Sequence, residues 1–172
     1  MSELAELVYA NNGQIAAWEE AACGQNGGIG RQALLFAWRS LAAGQDLARA
    51  GHQVVLCPAQ HTYLDMSLGI DCQSSGANWA GNLPLSKTTN WQPIPSDEEA
   101  LENNIKGIQG ALWSETISSF ELLQKALAPR ILGIAEIAWA REQNKRQGND
   151  LTLAARTFYP LLTAINWQFT QV

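Results

Sequence analysis

Cysteine and histidine are scarce in this sequence, and their scarcity excludes several kinds of site. The 172 residues include three cysteines, Cys23, Cys57 and Cys72, and two histidines, His52 and His61. An odd cysteine count without a CxxC spacing argues against a disulfide framework and against a zinc site. We therefore expect no metal and no cofactor, and we interpret Cys57 and His61 as packing and loop residues.

The sequence also lacks long hydrophobic runs and clusters of basic residues. Its apolar runs are far short of the roughly 20 residues of a membrane-spanning helix. The formal net charge is −5 and the basic residues are scattered, so we expect neither a nucleic-acid nor a membrane partner. Residues 2–10 are acidic and amphipathic, unlike a secretory leader. A hydrophobic fraction of 47% with 16% charged residues is typical of a globular protein, here predicted as one domain over residues 1–172.

Four short apolar segments have the features of β-strands. They are bounded by Gly, Pro or polar residues, and helix-like segments lie between them. The predicted strands are 14–18, 33–38, 53–57 and 106–113. Each strand is continuous and apolar, which is typical of parallel strands covered by helices on both faces. The predicted fold class is therefore α/β.

Amphipathic segments with capping residues predict the helices. Residues 2–10 and 40–50 form the first two, while 59–96 lacks periodicity and is predicted as a long functional loop. After the fourth strand the chain is predicted to be helical over about 116–169, in the segments 116–127, 130–147 and 151–169, the last kinked at Pro160. The second of these has an apolar face, formed by Ile131, Ile134, Ala135, Ala138 and Trp139.

An aromatic residue followed by a charged residue lies at or soon after the end of each predicted strand. These motifs are Trp18-Glu19-Glu20, Trp38-Arg39, Tyr63-Leu64-Asp65 and Trp113-Ser114-Glu115. An indole can cover the C–H face of a pyranose while a carboxylate accepts hydrogen bonds from its hydroxyls. Because the C-terminal ends of parallel barrel strands converge on one face, we expect these side chains to line one ligand pocket. The alternative is that the aromatic residues only pack in the core.

The order and spacing of these motifs resemble the C-terminal half of the catalytic (β/α)8 barrel of family 20 glycoside hydrolases, the β-N-acetylhexosaminidases. The resemblance covers about 13–140. Its pieces are 17–20 (AWEE), 37–39 (AWR), 54–55 (VV) with 63–65 (YLD), 90–93 (NWQP), 107–115 (GIQGALWSE), 128–130 (APR) and 135–139 (AEIAW). The resemblance implies a TIM barrel of which this chain supplies about strands five to eight.

The resemblance assigns the tryptophans to a sugar pocket. It implies that Trp18, Trp38 and Trp113 form the walls that hold a terminal N-acetylhexosamine, GlcNAc or GalNAc. Trp91, in the long loop, is implied at the rim of the pocket. The partner implied is thus an N-acetylhexosamine-terminated saccharide.

The resemblance also assigns polar roles. It implies that Tyr63 hydrogen-bonds the acetamido carbonyl of the substrate, which is the nucleophile in the substrate-assisted, retaining hydrolysis of this family. Asp65 and Glu115 are implied as acceptors for sugar hydroxyls, with a helix-start carboxylate as the alternative role of each. Arg130 and Glu136 are expected to form a structural ion pair.

One element of the family pattern has no counterpart among these residues. The chemistry of the family also needs an adjacent Asp-Glu pair, in which Glu is the general acid, and neither Glu19-Glu20 nor Asp97-Glu98 is a candidate. We therefore expect a sugar-binding half that is inactive alone. Because a half-barrel exposes strand edges, we expect it to self-associate or to pair with a missing N-terminal half. A non-catalytic sugar-binding module or inactive truncated paralogue, and a structural fragment without a site, are the alternatives.

Overall fold

The structure, a computed structural model, describes residues 2–23, 28–69, 76–140 and 144–172. The chain divides into two units. Unit 1 comprises Met1–Pro58 and Gln92–Ile108, and unit 2 comprises Ala59–Trp91 and Gln109–Val172. The single domain over 1–172 stays a prediction. Within the described ranges, each helix is too short or too polar to cross a bilayer.

Unit 1 is built on a parallel sheet with the strand order β1-β2-β3-β4. The strands are β1 Ala16–Trp18, β2 Leu34–Ala37, β3 Gln53–Leu56 and β4 Ile105–Ile108. All three strand pairs are parallel, and the register places Phe36 opposite both Trp18 and Val55. The four predicted strands and the parallel α/β arrangement are confirmed.

The helices of unit 1 begin and end close to the predicted residues. They are α1 Ser2–Ala10 and α2 Leu41–Arg49, with short 3₁₀ turns at Glu19–Ala22 and Glu99–Asn103. Helix α2 begins after Ser40, whose Oγ accepts a hydrogen bond from the N–H of Ala43 at 3.1 Å. Such a cap satisfies one of the N–H groups that a helix start leaves without a partner.

Burial in the sheet differs from the prediction. Along β2 and β3 it alternates, so that Leu35, Ala37, Val54 and Leu56 are fully buried and their neighbours are only half-buried. The strands are therefore covered well on one face rather than on both. Strand β4 has no fully buried residue and ends at Ile108, although the prediction carried it to residue 113. It lies at an edge of the described sheet, and the predicted strand contains Gly107 and Gly110. An edge strand has a neighbour on one side only, and glycine lowers strand propensity, so both features favour an early end of the strand.

Unit 2 is mainly helical. It contains α3 Ala59–Thr62, α4 Phe120–Leu127, α5 Arg130–Trp139, α6 Gly148–Arg156 and α7 Tyr159–Ala164, with a 3₁₀ turn at Leu85–Thr88. Helix α4 begins at Phe120 rather than at residue 116, because the Oγ of Ser119 accepts the N–H of Leu122 and caps the helix there.

The last two predicted helices are also shorter than expected. Helix α5 ends at Trp139, well before residue 147; residues 141–143 of the predicted helix lie outside the described residues. The predicted helix 151–169 is two helices, α6 and α7, rather than one kinked helix. Pro160 lies in the first turn of α7, where its missing N–H costs nothing, so the proline starts a helix instead of bending one.

Helix α5 does not bury the apolar face that its sequence shows. Of its five residues only Ile134 is buried, and Trp139 is 88% exposed. The face that is buried consists of Arg130, Gly133, Ile134 and Ile137. The reason is close packing on the 3₁₀ turn, since a Cβ at Gly133 would lie 1.8 Å from Oγ1 of Thr88. Only a face with a glycine at this position can approach that turn.

The predicted ion pair between Arg130 and Glu136 is also wrong. The guanidinium of Arg130 donates its hydrogen bonds to main-chain carbonyl groups. Glu136 instead accepts hydrogen bonds from the N–H and the Nη1 of Arg146, at 2.7 Å and 3.1 Å. Each side chain therefore stabilises a different part of unit 2.

Candidate functional site

The aromatic motifs of unit 1 lie at the ends of neighbouring parallel strands. Trp18 is the last residue of β1, and Trp38 directly follows β2. The indole of Trp18 contacts the ring of Phe36 edge-on, with 5.8 Å between ring centroids. Because the two strands are parallel neighbours, both tryptophans lie at the same edge of the sheet, as the sequence predicts.

The two carboxylates after Trp18 hold the end of the next strand. Glu20 Oε1 accepts a hydrogen bond from the indole Nε1 of Trp38 at 2.9 Å. Glu19 Oε1 accepts hydrogen bonds from the main-chain N and the Nε of Arg39, at 2.8 Å and 2.9 Å. Glu19 is fully buried, and its Oε2 has no hydrogen-bond partner among the described residues. This pair of carboxylates therefore fixes Trp38 through its side chain and through the peptide that follows it.

Cys57 follows β3 and is fully buried. Burial, and next the negative charge of Glu19, raise the pKa of its thiol to about 12. The thiol is therefore protonated at neutral pH and is a poor nucleophile or metal ligand. This agrees with the interpretation of Cys57 as a packing residue.

The aromatic motif of unit 2 is a buried tyrosine in contact with two exposed tryptophans. Tyr63 is buried and forms an isolated parallel bridge with Ala111. Its ring lies 6.0 Å from Trp79, nearly perpendicular to it, and 6.0 Å from Trp113 at a tilt of 56°. The two indoles are 59% and 38% exposed. Together they form an aromatic surface open to solvent, which we call the aromatic group of unit 2.

Asp65 joins this group through the backbone of Trp113. Its side chain is buried, and Oδ1 accepts a hydrogen bond from the N–H of Trp113 at 3.2 Å. Burial raises the pKa of Asp65, and the charge of Glu115 raises it further, while the Trp113 N–H and the charge of Arg130 act in the opposite direction. Glu115 itself is exposed. The arrangement places a carboxylate in the same unit as the exposed indoles, which suits recognition of a polyhydroxylated ring.

Trp91 differs from the other predicted site residues. The sequence predicts it at the rim of a pocket, but in the structure its indole is buried and donates from Nε1 to the carbonyl of Thr88 at 2.8 Å. It also stacks on His61 at 5.4 Å between ring centroids. The Nδ1–H of His61 donates to the carbonyl of Lys87 at 2.8 Å, and burial lowers the pKa of the imidazole. This environment favours a packing role for both rings.

Among the described residues, no three His, Cys, Asp or Glu side chains come together as a metal site requires. Cys72, counted in the argument against a zinc site, lies outside the described residues.

Comparison with known proteins decides the family. The profile of glycosyl hydrolase family 20, catalytic domain, matches residues 1–142. The chain belongs to glycosyl hydrolase family 20. Its relatives include a β-hexosaminidase of Vibrio furnissii, 31% identical over 71% of this chain and 20% of the relative. A β-N-acetylhexosaminidase of Cellulomonas fimi is 31% identical over 57% of this chain and 20% of its own length.

Solved structures of family 20 enzymes share the fold. An exo-β-N-acetylglucosaminidase of Vibrio harveyi, solved in complex with N-acetylglucosamine, is 30% identical with a TM-score of 0.85, over 98% of this chain and 28% of that one. The N-acetyl-β-hexosaminidase of Streptomyces plicatus, 24% identical, has a TM-score of 0.84 over 99% of this chain and 35% of its own. These neighbours are TIM-barrel enzymes. The chain spans about a fifth of the length of its curated family 20 relatives.

Two residues at the candidate site have roles that the sequence did not predict. Trp79 contacts Tyr63, and its signal was a single aromatic residue within a run of small and polar residues, 76–82 (GANWAGN). Arg130 holds the backbone next to Asp65, but an arginine after a proline at a helix start carries no signal for that role. Contacts between residues far apart in the sequence revealed both.

Proposed function

We propose that this chain carries the sugar-binding part of a β-N-acetylhexosaminidase that removes terminal N-acetylhexosamine by substrate-assisted, retaining hydrolysis. The observation that carries the proposal is the aromatic group of unit 2, in which Tyr63 contacts the exposed indoles of Trp79 and Trp113. Indoles offer a flat apolar surface to a pyranose, and the tyrosine adds a hydroxyl for its polar substituents. Membership of glycosyl hydrolase family 20 supports the same reaction class.

The polar residues of unit 2 have distinct roles in this proposal. The hydroxyl of Tyr63 donates to the acetamido carbonyl, whose oxygen forms a bond to the anomeric carbon as the bond to the leaving oxygen breaks. Asp65 and Glu115 accept hydrogen bonds from sugar hydroxyls. The burial that raises the pKa of Asp65 also strengthens hydrogen bonds to its carboxylate, because water competes less for them.

The tryptophans supply flat apolar surfaces for a sugar ring. Trp113 and Trp79 form one such surface in unit 2. Within unit 1, Trp18 and Trp38 lie at neighbouring strand ends and offer indoles there. Glu20 supports this role for Trp38, because its hydrogen bond to the indole N–H fixes the plane of the ring. Trp91 contributes through packing of the loop around it, since its own indole is buried.

We also propose that the catalytic Asp-Glu pair is absent from these 172 residues. A general acid needs a carboxyl group whose pKa is raised. Glu98 has the opposite environment, because Arg49 donates two hydrogen bonds to it at 2.6 Å and lowers its pKa. Glu19 accepts hydrogen bonds from Arg39 instead of facing a leaving group. The same observations favour a second candidate function, a non-catalytic N-acetylhexosamine-binding module, and in both cases the isolated chain does not hydrolyse glycosides.

The sheet supports a proposal about partners. We propose that β1–β4 correspond to about strands five to eight of the family barrel, its C-terminal half. In the described sheet β1 and β4 are the edge strands, and exposed edges favour pairing with another chain. The proposed partner is a second copy or the N-terminal half of the barrel. Analytical ultracentrifugation over a range of concentrations tests this, and a monomer at all concentrations would contradict self-association.

Sugar binding and hydrolysis can be tested separately on the full chain. Titration with N-acetylglucosamine should quench tryptophan fluorescence, and Trp113→Ala should weaken binding by about tenfold or more, as expected for loss of an aromatic contact of about 1.5 kcal/mol. The matched control is Trp139→Ala, which removes an indole that is 88% exposed on α5 and should leave the affinity unchanged.

A chromogenic N-acetyl-β-glucosaminide provides the second assay. We expect no turnover, and turnover would mean that a general acid is present among these residues. Absence of quenching would contradict the sugar-binding function itself. Equal effects of the two tryptophan variants would show that binding does not involve the aromatic group of unit 2.

A further inference from the structure

Arg130 is a buried cation whose partners are main-chain oxygens. It is the first residue of α5 and is 2% exposed. Its Nη1 donates to the carbonyls of Met66 and Leu83, at 2.7 Å and 3.1 Å, and its Nη2 donates to the carbonyl of Leu64. Its Nε and Nη2 also donate to the carbonyl of Ala126, at 3.0 Å and 2.8 Å. One side chain thus binds four carbonyl groups, three of which lie more than 40 residues before it in the sequence.

Two of these carbonyls flank Asp65 within a single turn. The N–H of Met66 donates to the carbonyl of Tyr63 at 3.1 Å, which closes a four-residue turn over residues 63–66. The N–H of Leu64 donates to the carbonyl of Ala111 at 2.7 Å. The carbonyls of Leu64 and Met66, on either side of Asp65, are the ones that Arg130 binds. A second bridge pairs Met66 with Ala77, whose N–H donates to the carbonyl of Asp65 at 2.9 Å. The turn is therefore held by two main-chain bridges and by the guanidinium, which alone binds the carbonyls on both sides of Asp65.

The chemistry of this contact requires arginine. Taking a cation out of water is costly unless every donor finds a partner, and a planar guanidinium can direct its five N–H groups to several acceptors at once. Burial lowers the pKa of Arg130 to about 10, while the charge of Asp65 acts to raise it, so the group stays charged at neutral pH. A lysine carries the same charge but only three donors on one nitrogen, so it cannot bind the same set of carbonyls.

We infer that Arg130 is the positioning residue of the unit 2 site. By binding the carbonyls of Leu64 and Met66 it fixes the turn that brings Tyr63 to Trp79 and Trp113 and Asp65 to the backbone of Trp113. Arg130 does not contact the sugar. The contribution of Arg130 to sugar recognition rests on the proposed function, whereas its control of the turn does not.

The experiment uses three variants of the full chain. Arg130→Met removes the charge and the donors, and Arg130→Lys keeps the charge but has only the three donors of one nitrogen. Leu151→Ala is the stability control, because Leu151 is 2% exposed in a separate core cluster with Leu85 and Ala155. For each, thermal unfolding, the near-UV circular dichroism of the aromatic group and the pH profile of N-acetylglucosamine quenching are measured.

The two arginine variants should separate geometry from charge. We expect both to lose the near-UV signal of the coupled Tyr63, Trp79 and Trp113 rings and to bind the sugar about tenfold more weakly or worse, since each lost hydrogen bond of a charged group weakens the held geometry. The acid limit of binding should move to higher pH only in Arg130→Met. Besides burial, the groups that act on the pKa of Asp65 are Glu115, Arg130 and the N–H groups of Trp113 and of Asp65 itself, and removing the arginine removes the positive charge that lowers this pKa. Leu151→Ala should lower the unfolding temperature and leave the other two readouts unchanged.

Any other result contradicts either the positioning role of Arg130 or the proposed function. If either arginine variant keeps the wild-type near-UV signal and sugar affinity, the positioning role is wrong; should Arg130→Met not fold, Arg130→Lys alone gives this answer. If Leu151→Ala loses the signal and the affinity as the arginine variants do, general destabilisation explains the effect and the inference fails. If the wild-type chain does not bind N-acetylglucosamine, the proposed function fails, and the near-UV signal then decides control of the turn alone.

Discussion

The two units hold their candidate site residues by different means. In unit 1, Trp18 ends one strand and Trp38 follows its parallel neighbour, so the register of the sheet sets their places. In unit 2, Tyr63 and Asp65 lie in a turn after a helix of four residues, and a guanidinium and two isolated main-chain bridges hold that turn. A sheet distributes the constraint over many equivalent hydrogen bonds, whereas the turn concentrates it on a few.

This difference has a consequence for how each site responds to mutation. In unit 1, the strands already fix the positions of the tryptophans, and the carboxylates Glu19 and Glu20 add hydrogen bonds to Arg39 and Trp38. In unit 2, no strand passes through the described residues 59–69 and 76–91, so the framework consists of a few contacts, namely two isolated main-chain bridges and the hydrogen bonds of Arg130 and Thr88. We therefore expect single substitutions in the framework to cost more in unit 2 than in unit 1.

The strongest test of this comparison is a pair of glycine substitutions in helices. In Gly133→Ala the new Cβ would meet Oγ1 of Thr88 at 1.8 Å and its Cβ at 2.9 Å, and Thr88 is fully buried with its hydroxyl bound to the carbonyl of Leu85 at 2.6 Å. We expect a loss of about 3 kcal/mol in the free energy of unfolding, the upper part of the range for overpacking. Hydrogen exchange followed by mass spectrometry assigns the loss to unit 2.

Gly44→Ala is the matched control in unit 1. Its Cβ would meet Cδ2 of Leu56 at 2.4 Å, the far end of a side chain that can rotate, and Cβ of Ala37 at 3.0 Å. The gain in helix propensity of about 1 kcal/mol should offset most of the strain. Equal losses in the two variants would contradict the idea that the sheet of unit 1 adapts and the turn of unit 2 does not.

A second test concerns the carboxylates within unit 1. Glu19→Ala removes the acceptor for the main-chain N–H and the Nε of Arg39, and we expect a loss of about 2 kcal/mol in the free energy of unfolding. The charge of Arg39 adds little to this loss because its side chain is half exposed and can return to water. Glu20→Ala breaks one exposed hydrogen bond to Trp38 and should change stability by less than about 0.5 kcal/mol. Urea unfolding measures both, and a larger loss in Glu20→Ala would show that the indole, not the arginine, holds the strand end.

The regular part of the molecule could be predicted because its signals are local. The strands of unit 1 are apolar runs bounded by Gly, Pro or polar residues, and Trp18 and Trp38 follow directly from the strand ends. The family resemblance extended this to Tyr63, Asp65 and Trp113, and the family is confirmed by the match over residues 1–142.

The irregular part could not be predicted, for a physical reason. Helix α5 has apolar residues around most of its circumference, so the pattern gives no unique face, and the buried one contains an arginine and a glycine that hydrophobicity disfavours. Its position is set by the carbonyls that bind Arg130 and by the approach of Gly133 to Thr88, and both depend on partners more than 40 residues away. Trp79 was missed for the same reason, since only its contact with Tyr63 distinguishes it from a loop tryptophan.

The smallest expected effect concerns the pH dependence of unit 2. The pKa of Asp65 is raised in the fold, first by burial, so the folded chain binds that proton more tightly than the unfolded chain does. The resulting stabilisation is complete below the ordinary pKa of an aspartate and is lost as the pH rises through the raised value. Asp65→Asn keeps an oxygen to accept the N–H of Trp113 but cannot ionise.

Relative to the wild type, Asp65→Asn should therefore gain stability as the pH rises through that interval and keep the gain at neutral pH. The measurement is the difference in unfolding temperature between the two proteins at a series of pH values, with Asp150→Asn, an exposed aspartate on α6, as the control. The same Asp65→Asn substitution should weaken binding of N-acetylglucosamine, because the charged acceptor is lost. A variant that is more stable and binds less would show that unit 2 maintains a buried carboxylate at the expense of stability, whereas a constant difference at all pH values would show that Asp65 does not titrate in this interval.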